Sequence, residues 1–428
     1  MHRVINQYFP DLTERMSGIE DYRNKSKYSM AELITACIAM FIFKEGSRNA
    51  FNNDRDEANF QKNFKKIFKT RLPHMDTVND VMCRLKNDEL ENLKTSMVRL
   101  LIEKKVLHKF RLFNKYFVVA IDGTGVHSFS QRHCEQCLTQ TSKKGKVTYF
   151  HNVLEAKLIC LNGFSISLAT EWIENPEGDF DKQDCERKAF KRLATKLKKV
   201  SPRLPICITA DGLYPTKPFF DICSQNDWRY IVTFKEGNLP SVWEEVEVLK
   251  GITKENKRSQ KITEPNRRVT REFCWINMID YADHKVNWIE CIERSRYIET
   301  NEMKTTRFVH LTDINVTWRN APEVSQNGRL RWKIENEGFN CQKNHGYNLQ
   351  HKYSRSNYRA MKNYYQCLQI AHLINQLVEL SVNFLNIVTN KKGIQHLWKY
   401  MMSFLICGVI DSDELSLLSK QRCQIRFG

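Results

Sequence analysis

The hydrophobic period of the chain changes near Phe117, and the order of the runs on either side limits the folds open to it. Before that point apolar and charged residues alternate with helical spacing, as in MAELITACIAMFIF (30–43), NFQKNFKKIF (59–68) and DTVNDVMCRLKNDELENLKTSMVRLLIEKK (76–105). After it come β-rich runs: YFVVAID (116–122), VTYFHNVLEAKLICL (147–161) and FSISLATEWI (164–173). Asn162-Gly163 between the last two is a strong signal for a two-residue hairpin loop. An amphipathic basic helix (Lys182 to Val200), the strand PICITAD (205–211), a helix (Lys217 to Gln225) and the strand YIVTF (230–234) follow.

Three successive strands, then strands alternating with helices, call for a mixed sheet with helices on both faces. This is the RNase H-like arrangement within an α/β (α+β) chain. Further strand-like alternation follows in RRVTREFCWI (267–276), KVNWIECIE (285–293) and TRFVHLTDI (306–314). The first two read as a β-rich insertion and the third as a return to the core sheet near Phe308. The expected divisions are a helical N-terminal region suited to DNA binding (1–112), the first part of the core (113–236), the insertion (237–305), completion of the core by the helix carrying Glu335 (306–350), and a helical C-terminal region (351–428). Within the first, KNFKKIFKTRLPHMDTVNDVMCRL (62–85) has the outline of a helix-turn-helix or of a plain packed pair, with Pro73 in the break and Asp76 as the expected N-cap.

A formal charge of +18, spread along 428 residues, favours a polyanionic partner, and nucleic acid comes first. Leu33 to Phe43 and Met401 to Ile410 fall short of the roughly 20 apolar residues that span a bilayer, so no membrane role is expected. The opening MHRVINQYFPDL lacks a secretory signal pattern, and the 14 cysteines are scattered rather than framing loops; both point to reduced thiols in the cytoplasm. There is no nucleophile elbow and no Walker-type phosphate loop.

Chemistry concentrates on carboxylates. Asp122 follows the apolar run Phe117 to Ile121, and Asp211 follows Ile206 to Ala210. Each alone reads as the start of an Asp-Gly turn, but together they fall at neighbouring strand ends, where α/β sheets place their ligands. Glu335 lies in the helical stretch RLRWKIENEGF (329–339). At about 100° per residue, Arg331, Trp332, Gly338 and Phe339 fall within roughly 60° of it, Lys343 about 80° away and Glu337 about 160° off. A carboxylate on a packed aromatic face needs a partner: Arg331 as an ion pair, or a metal shared with Asp122 and Asp211. Such an oxygen cage suits Mg²⁺ or Mn²⁺ and phosphodiester chemistry. Glu337 is the alternative third acid.

The combination of VVAIDGTG (118–125), CITADGLY (207–214) and RLRWKIENEGF resembles the DDE transposases of bacterial insertion sequences, in the group whose RNase H-like core is interrupted by a β-rich insertion. The resemblance covers about residues 115 to 350. It implies catalytic Asp122, Asp211 and Glu335 holding two Mg²⁺ or Mn²⁺ ions, cleavage of double-stranded DNA at element ends, and strand transfer to target DNA. That group carries a Tyr, Arg, Glu, Lys signature at intervals of two, three and six. Arg331 and Glu335 keep their interval, whereas the Tyr position falls on Gly328 and the Lys comes one residue late, as Lys343, with Gln342 in its place. Arg331 and Lys343 are then the expected phosphate contacts, with Tyr347 a candidate substitute for the missing Tyr. The resemblance also implies a homodimer when DNA is bound, in the bacterial cytoplasm near the nucleoid; the helical stretches 361–390 and 394–420 are candidates for that contact, or core helices.

A second cluster follows the first Asp. Cys134 and Cys137 form a CxxC pair, with His127 and His133 beside it and His151 on the next strand. Thiolate and imidazole ligands select Zn²⁺; the expected structural set is Cys134, Cys137, His127 and His151, against two ordinary reduced thiols. The basic runs 143–146, 187–199 and 254–261 could follow phosphates or be solvated faces, and Trp228, Tyr230, Trp243 and Trp275 could stack bases or fill the core. Two rivals to a transposase remain: a catalytically inactive DNA-binding descendant, and a metal-dependent nuclease without strand transfer.

Overall fold

A computed structural model of the chain describes residues 1–428 apart from 177–181, 254, 356, 389–392 and 427–428. Ten strands build one mixed sheet: β1 (Phe117–Phe129), β2 (Leu138–Thr141), β3 (Val147–Ile159), β4 (Ser165–Ile173), β5 (Ile206–Ala210), β6 (Arg229–Thr233), β7 (Lys257–Glu264), β8 (Arg267–Tyr281), β9 (His284–Tyr297) and β10 (Met303–Thr312). The spatial order is β4-β3-β1-β5-β6-β10-β9-β8-β7, with β2 beside the start of β3. β1, β5 and β6 run parallel, while β4, β3 and β1 pair antiparallel. The long antiparallel ribbon β7 to β10 joins them where His310–Thr312 of β10 pairs with residues 231–233 of β6.

Burial explains which runs became central. All five residues of β5 are buried, as a parallel strand covered on both faces requires. Along β1 the faces alternate: Phe117, Val119 and Ile121 enter one apolar core, Val118 and Ala120 the other. The first core runs on into the helices of both chain ends. Helix Met30–Ile42 is buried along its whole length beneath a capping box made by Ser29 and Glu32. Helix Tyr358–Glu379 shares this core. Cross-links tie the ends together: the Asn375 amide donates to the Ile42 carbonyl (3.1 Å), and that of Asn363 to the carbonyls of Met82 (2.8 Å) and Leu85 (2.9 Å). The second core lies on the opposite face, under helix Ala321–Arg329 and the segment that follows it.

Several sequence expectations need correction. Asp122 does not end its strand; β1 continues to Phe129. The hairpin between β3 and β4 has a three-residue loop, Leu161 to Gly163, closed by Cys160 N–H donating to the Phe164 carbonyl (3.0 Å), with Gly163 at φ +106°. A loop of that length lets glycine absorb the left-handed conformation that restores the strand twist. The stretch after Phe234 opens with a helix, Pro240–Ile252, before any strand. His74, not Asp76, is the N-cap of helix Met75–Met82, accepting from the Asp76 N–H. The outward residues of that helix are Asp76 and Asp80, and Asp76 pairs with Arg48 (3.3 Å). Trp228, Tyr230 and Trp275 are buried, and Trp243 stacks on Phe234 (4.6 Å, 8°), so these rings serve packing. Helix Tyr358–Glu379 is largely buried in the core, whereas Ile394–Cys407 and Ser412–Lys420 are the more open part of the C-terminal region. No helix of the described residues is long and apolar enough to cross a membrane.

Replacing Gly163 by alanine should cost about 1 kcal/mol or more, because a Cβ strains the positive φ. Thermal unfolding would register this as a lowered Tm with unchanged circular dichroism; an unchanged Tm would show that the loop relaxes freely.

Candidate active site

Parallel pairing sets the two aspartates at equivalent positions on adjacent strands. The β1 and β5 register ends with Ala120 opposite Thr209; two residues further along each strand stand Asp122 and Asp211. β5 stops there while β1 continues beside β3 alone, leaving a notch at the carboxyl end of β5. Asp211 Oδ1 caps the turn by accepting from Leu213 N–H (2.8 Å). Asp122 Oδ1 accepts from Gly123 N–H (3.0 Å).

The third acid arrives from the opposite layer through a cation. Arg331, buried at 7% exposure, directs Nη1 to Glu335 Oε1 (2.6 Å) and to Asp122 Oδ2 (3.4 Å). Glu335 is thus tied to Asp122 across more than 200 residues of sequence. Its surroundings differ from the α-helical expectation: Ile334–Asn340 is a π-helical turn, Trp332 is 54% exposed, and only Phe339 of the two aromatics is buried. Glu337 points elsewhere, accepting from Lys333 Nζ (2.7 Å).

The π turn also decides which residue after Glu335 lies on its side of the segment. An i→i+5 turn takes up one residue more than an α turn, so the residue facing the site after Glu335 shifts by one. Gln342 consequently lies in the core, donating to Gln369 Oε1 (2.9 Å), with His372 Nδ1 also in reach (3.0 Å). Lys343 lies within electrostatic reach of Asp122: burial lowers its pKa, and the charge of Asp122 opposes that shift.

Position 328, where the resemblance expects a tyrosine, has no room for a side chain. A Cβ at Gly328 would meet His310 Nε2 at 2.6 Å, because the β10 imidazole fills that space. Tyr347 does not substitute for it. Its ring is buried among the helices and its hydroxyl accepts from Asn375 Nδ2 (2.9 Å).

Sequence reasoning missed two groups. Glu186, the first residue of helix Glu186–Val200, packs its carboxylate against Gly123, where a Cβ would overlap it. Burial raises its pKa, and the charge of Asp211 adds to the shift. Tyr214, 3% exposed, is pushed well above the ordinary phenol range by burial and by the charges of Glu186, Asp122 and Asp211; its hydroxyl has no hydrogen-bond partner among the described residues. An acid in the first turn of a basic helix reads as a dipole partner, so nothing in sequence singled Glu186 out.

These groups make an acidic centre. Burial is the largest reason that the Asp122 carboxyl is raised to about 7; Arg331 opposes the shift, and Glu335 and Glu186 reinforce it. Hard oxygen donors of this kind are the type that Mg²⁺ takes, but among the described residues no three of these carboxylates bring ligand oxygens within 4.8 Å of one another, so the side chains would have to close in around an ion. A cleft of about 530 Å³ opens beside Asp211 and Arg331, lined also by Lys235, Arg307, Phe308 and Trp332.

The second cluster forms with one exchanged member. His133, Cys134, Cys137 and His151 bring one ligand atom each within 4.8 Å of one another. His127, opposite His151 in the strand register, instead lines a small apolar cavity with Phe41, Tyr353 and Tyr364. His133 takes its place because its ring stacks on Phe129 (4.5 Å, 16°) in the loop that carries the cysteines.

Asp122 gives a signed pH dependence. The unfolded carboxyl ionises near 3.8 and the folded one near 7, so the native state holds the extra proton and stability falls as pH rises between those values, then levels off. In chelator, Asp122→Asn should therefore be more stable than the native chain at pH 8, by roughly 2 kcal/mol. The gap should close at pH 4; a less stable variant at pH 8 would contradict the charge balance. Gly328→Ala should cost about 1–3 kcal/mol by overpacking against His310. Chemical denaturation of Gly328→Ala, His310→Ala and the double variant should be non-additive, and simple additivity would rule out the steric pairing. Neither the protein-family models nor the curated proteins compared with this chain include a match to it.

Proposed function

We propose that the chain is a DDE-type DNA transposase, cutting double-stranded DNA at the ends of a mobile element and transferring the strand to a target. The observation that supports this reading is the placement of Asp122 and Asp211 at equivalent positions on adjacent parallel strands, with Glu335 joined to Asp122 through Arg331. Strands β4-β3-β1-β5-β6 serve as its RNase H-like core, and helix Pro240–Ile252 with β7 to β9 as the insertion before the Glu335 segment.

Asp122, Asp211 and Glu335 would hold Mg²⁺ or Mn²⁺, with Glu186 as a fourth carboxylate. When bound, the ions polarise the phosphoryl oxygens and supply an activated water. The chain's own residues set the charge around that chemistry. Arg331 keeps Glu335 and Asp122 at a fixed separation, and Lys343 adds positive charge on the side of Asp122. The cleft lined by Lys235, Arg307, Phe308 and Trp332 leads to Asp211 and offers cationic and aromatic surface to a DNA backbone.

Of the basic runs, the exposed lysines 143, 144 and 146 at the tip between β2 and β3 fit phosphate tracking best. In the run 187–199, Arg192 is held by Glu171 and Asp184, and Lys196 by Glu91 and Glu171. The run 254–261 mostly forms edge strand β7; Lys254 lies outside the described residues. Pairing of two element ends would make the active species at least a homodimer on DNA.

The test is cleavage of linear DNA bearing the gene's own genomic flanks, with Mg²⁺ or Mn²⁺, by the native chain and by Asp211→Asn. The native protein should nick at a defined flank position and form joined products, and the variant should lose at least 100-fold in rate, on the order expected when a metal-site carboxylate is removed. Nicking without joining would favour a nuclease. Equal DNA binding with no cutting by either protein would favour a DNA-binding protein and remove the catalytic assignments.

A further inference from the structure

We propose that His133, Cys134, Cys137 and His151 bind one Zn²⁺ ion, and that this ion fastens the strands of the carboxylate site to the segment leading into the long C-terminal helix. The inference is independent of the function assigned to the carboxylates.

Geometry carries it. Tetrahedral zinc with Zn–S near 2.3 Å and Zn–N near 2.05 Å requires S···S edges of about 3.8 Å and S···N edges of about 3.6 Å. Here the two Sγ atoms are 3.5 Å apart, and each lies 3.4 Å from His151 Nε2. Three donors therefore already form a face of the required tetrahedron, slightly contracted. The two sulfurs are too far apart for a disulfide, whose bond is about 2.05 Å, and both cysteines are free.

The fourth donor is set by its other nitrogen. His133 Nε2 lies 2.5 Å from the Arg355 carbonyl oxygen and takes the donor role, which leaves Nδ1, buried and without a partner, as the ligand atom. A backbone carbonyl on the far nitrogen is the usual way a ligating histidine is oriented. Cys137 is 1% exposed and His151 fully buried, so the ion would be enclosed by protein with no position open for substrate. That argues for a structural ion.

The surroundings show what it would fasten. Asn175 clamps the cysteine loop, its Nδ2 donating to the Cys137 carbonyl (2.9 Å) and its N–H to the Gln136 carbonyl (3.1 Å). Tyr358, the first residue of helix Tyr358–Glu379, stacks on His151 (4.1 Å, 19°), and its hydroxyl donates to Glu174 (2.7 Å). Lys352 covers the Phe129 ring at 4.5 Å. The cluster thus joins the end of β1, the middle of β3, the loop after β1, and Lys352, Arg355 and Tyr358. β1 also carries Asp122, so the ion would hold one wall of the acidic notch without touching it.

The test is metal analysis of the full chain purified under reducing conditions without added chelator, with reconstitution by Co²⁺ and by Zn²⁺. We expect one zinc per chain, and for the cobalt form the visible absorption of tetrahedral Co²⁺ with a thiolate charge-transfer band. Cys134→Ser and His133→Ala should each lose the metal, while His127→Ala retains it. Because the cysteine variant could fail to fold, His133→Ala, altered at the partly exposed rim, is the decisive variant, with circular dichroism as its folding check. Chelation should lower the Tm of the native chain and leave that of His133→Ala unchanged. Absence of bound metal, or retention in His133→Ala together with loss in His127→Ala, would overturn the assignment.

Discussion

The buried guanidinium of Arg331 holds the two layers of the molecule in register. One nitrogen serves Glu335 from its own segment and Asp122 from the central strand, so the helical layer over the second core cannot slide on the sheet without separating charges that water screens only in part. Such an ion pair adds little net stability, but breaking it leaves a buried charge unpaired, which makes it a strong determinant of geometry. Burial does most to raise the Asp122 carboxyl to about 7; Arg331 opposes that shift, and the neighbouring Glu335 and Glu186 add to it.

Around this centre the sheet does two jobs. Its parallel part, β1, β5 and β6, ends abruptly and exposes the notch, because β5 has only five residues, all buried, and turns at Asp211. Its antiparallel part continues on both sides, through β3 and β4 to the histidine and cysteine cluster and through β10 to the long ribbon. The helices from the two ends of the chain close one face together, linked by side-chain amides that satisfy helix-end carbonyls.

Much of this was legible in the sequence. Helix Lys217–Gln225 and strands β3, β4, β5 and β6 follow from periodicity and breakers, and the two aspartates follow from their place after apolar runs. What escaped detection has identifiable causes. The continuation of β1 past Asp122 reads Gly-Thr-Gly-Val, a turn-like composition that pairing with β3 overrides. Trp332 precedes the π turn, and its ring is exposed because the side it shares with Glu335 is only partly covered, which a rotation per residue cannot reveal. Glu186 could not be distinguished from an ordinary first-turn acid. The exchange of His127 for His133 depended on a ring stack with Phe129 that spacing cannot encode.

The sequence by itself determined the alternation of elements, the basic charge, and the residue types able to hold hard and soft cations, because hydrophobic period and side-chain chemistry are local properties. Only the tertiary structure decided which of those residues meet. Register between β1 and β5 set Asp122 against Asp211, the extra residue of the π turn aimed Lys343 in place of Gln342, and the room taken by His310 required glycine at position 328. Each is an outcome of close packing between segments far apart in the chain, where displacement by one residue would send a side chain to the other face.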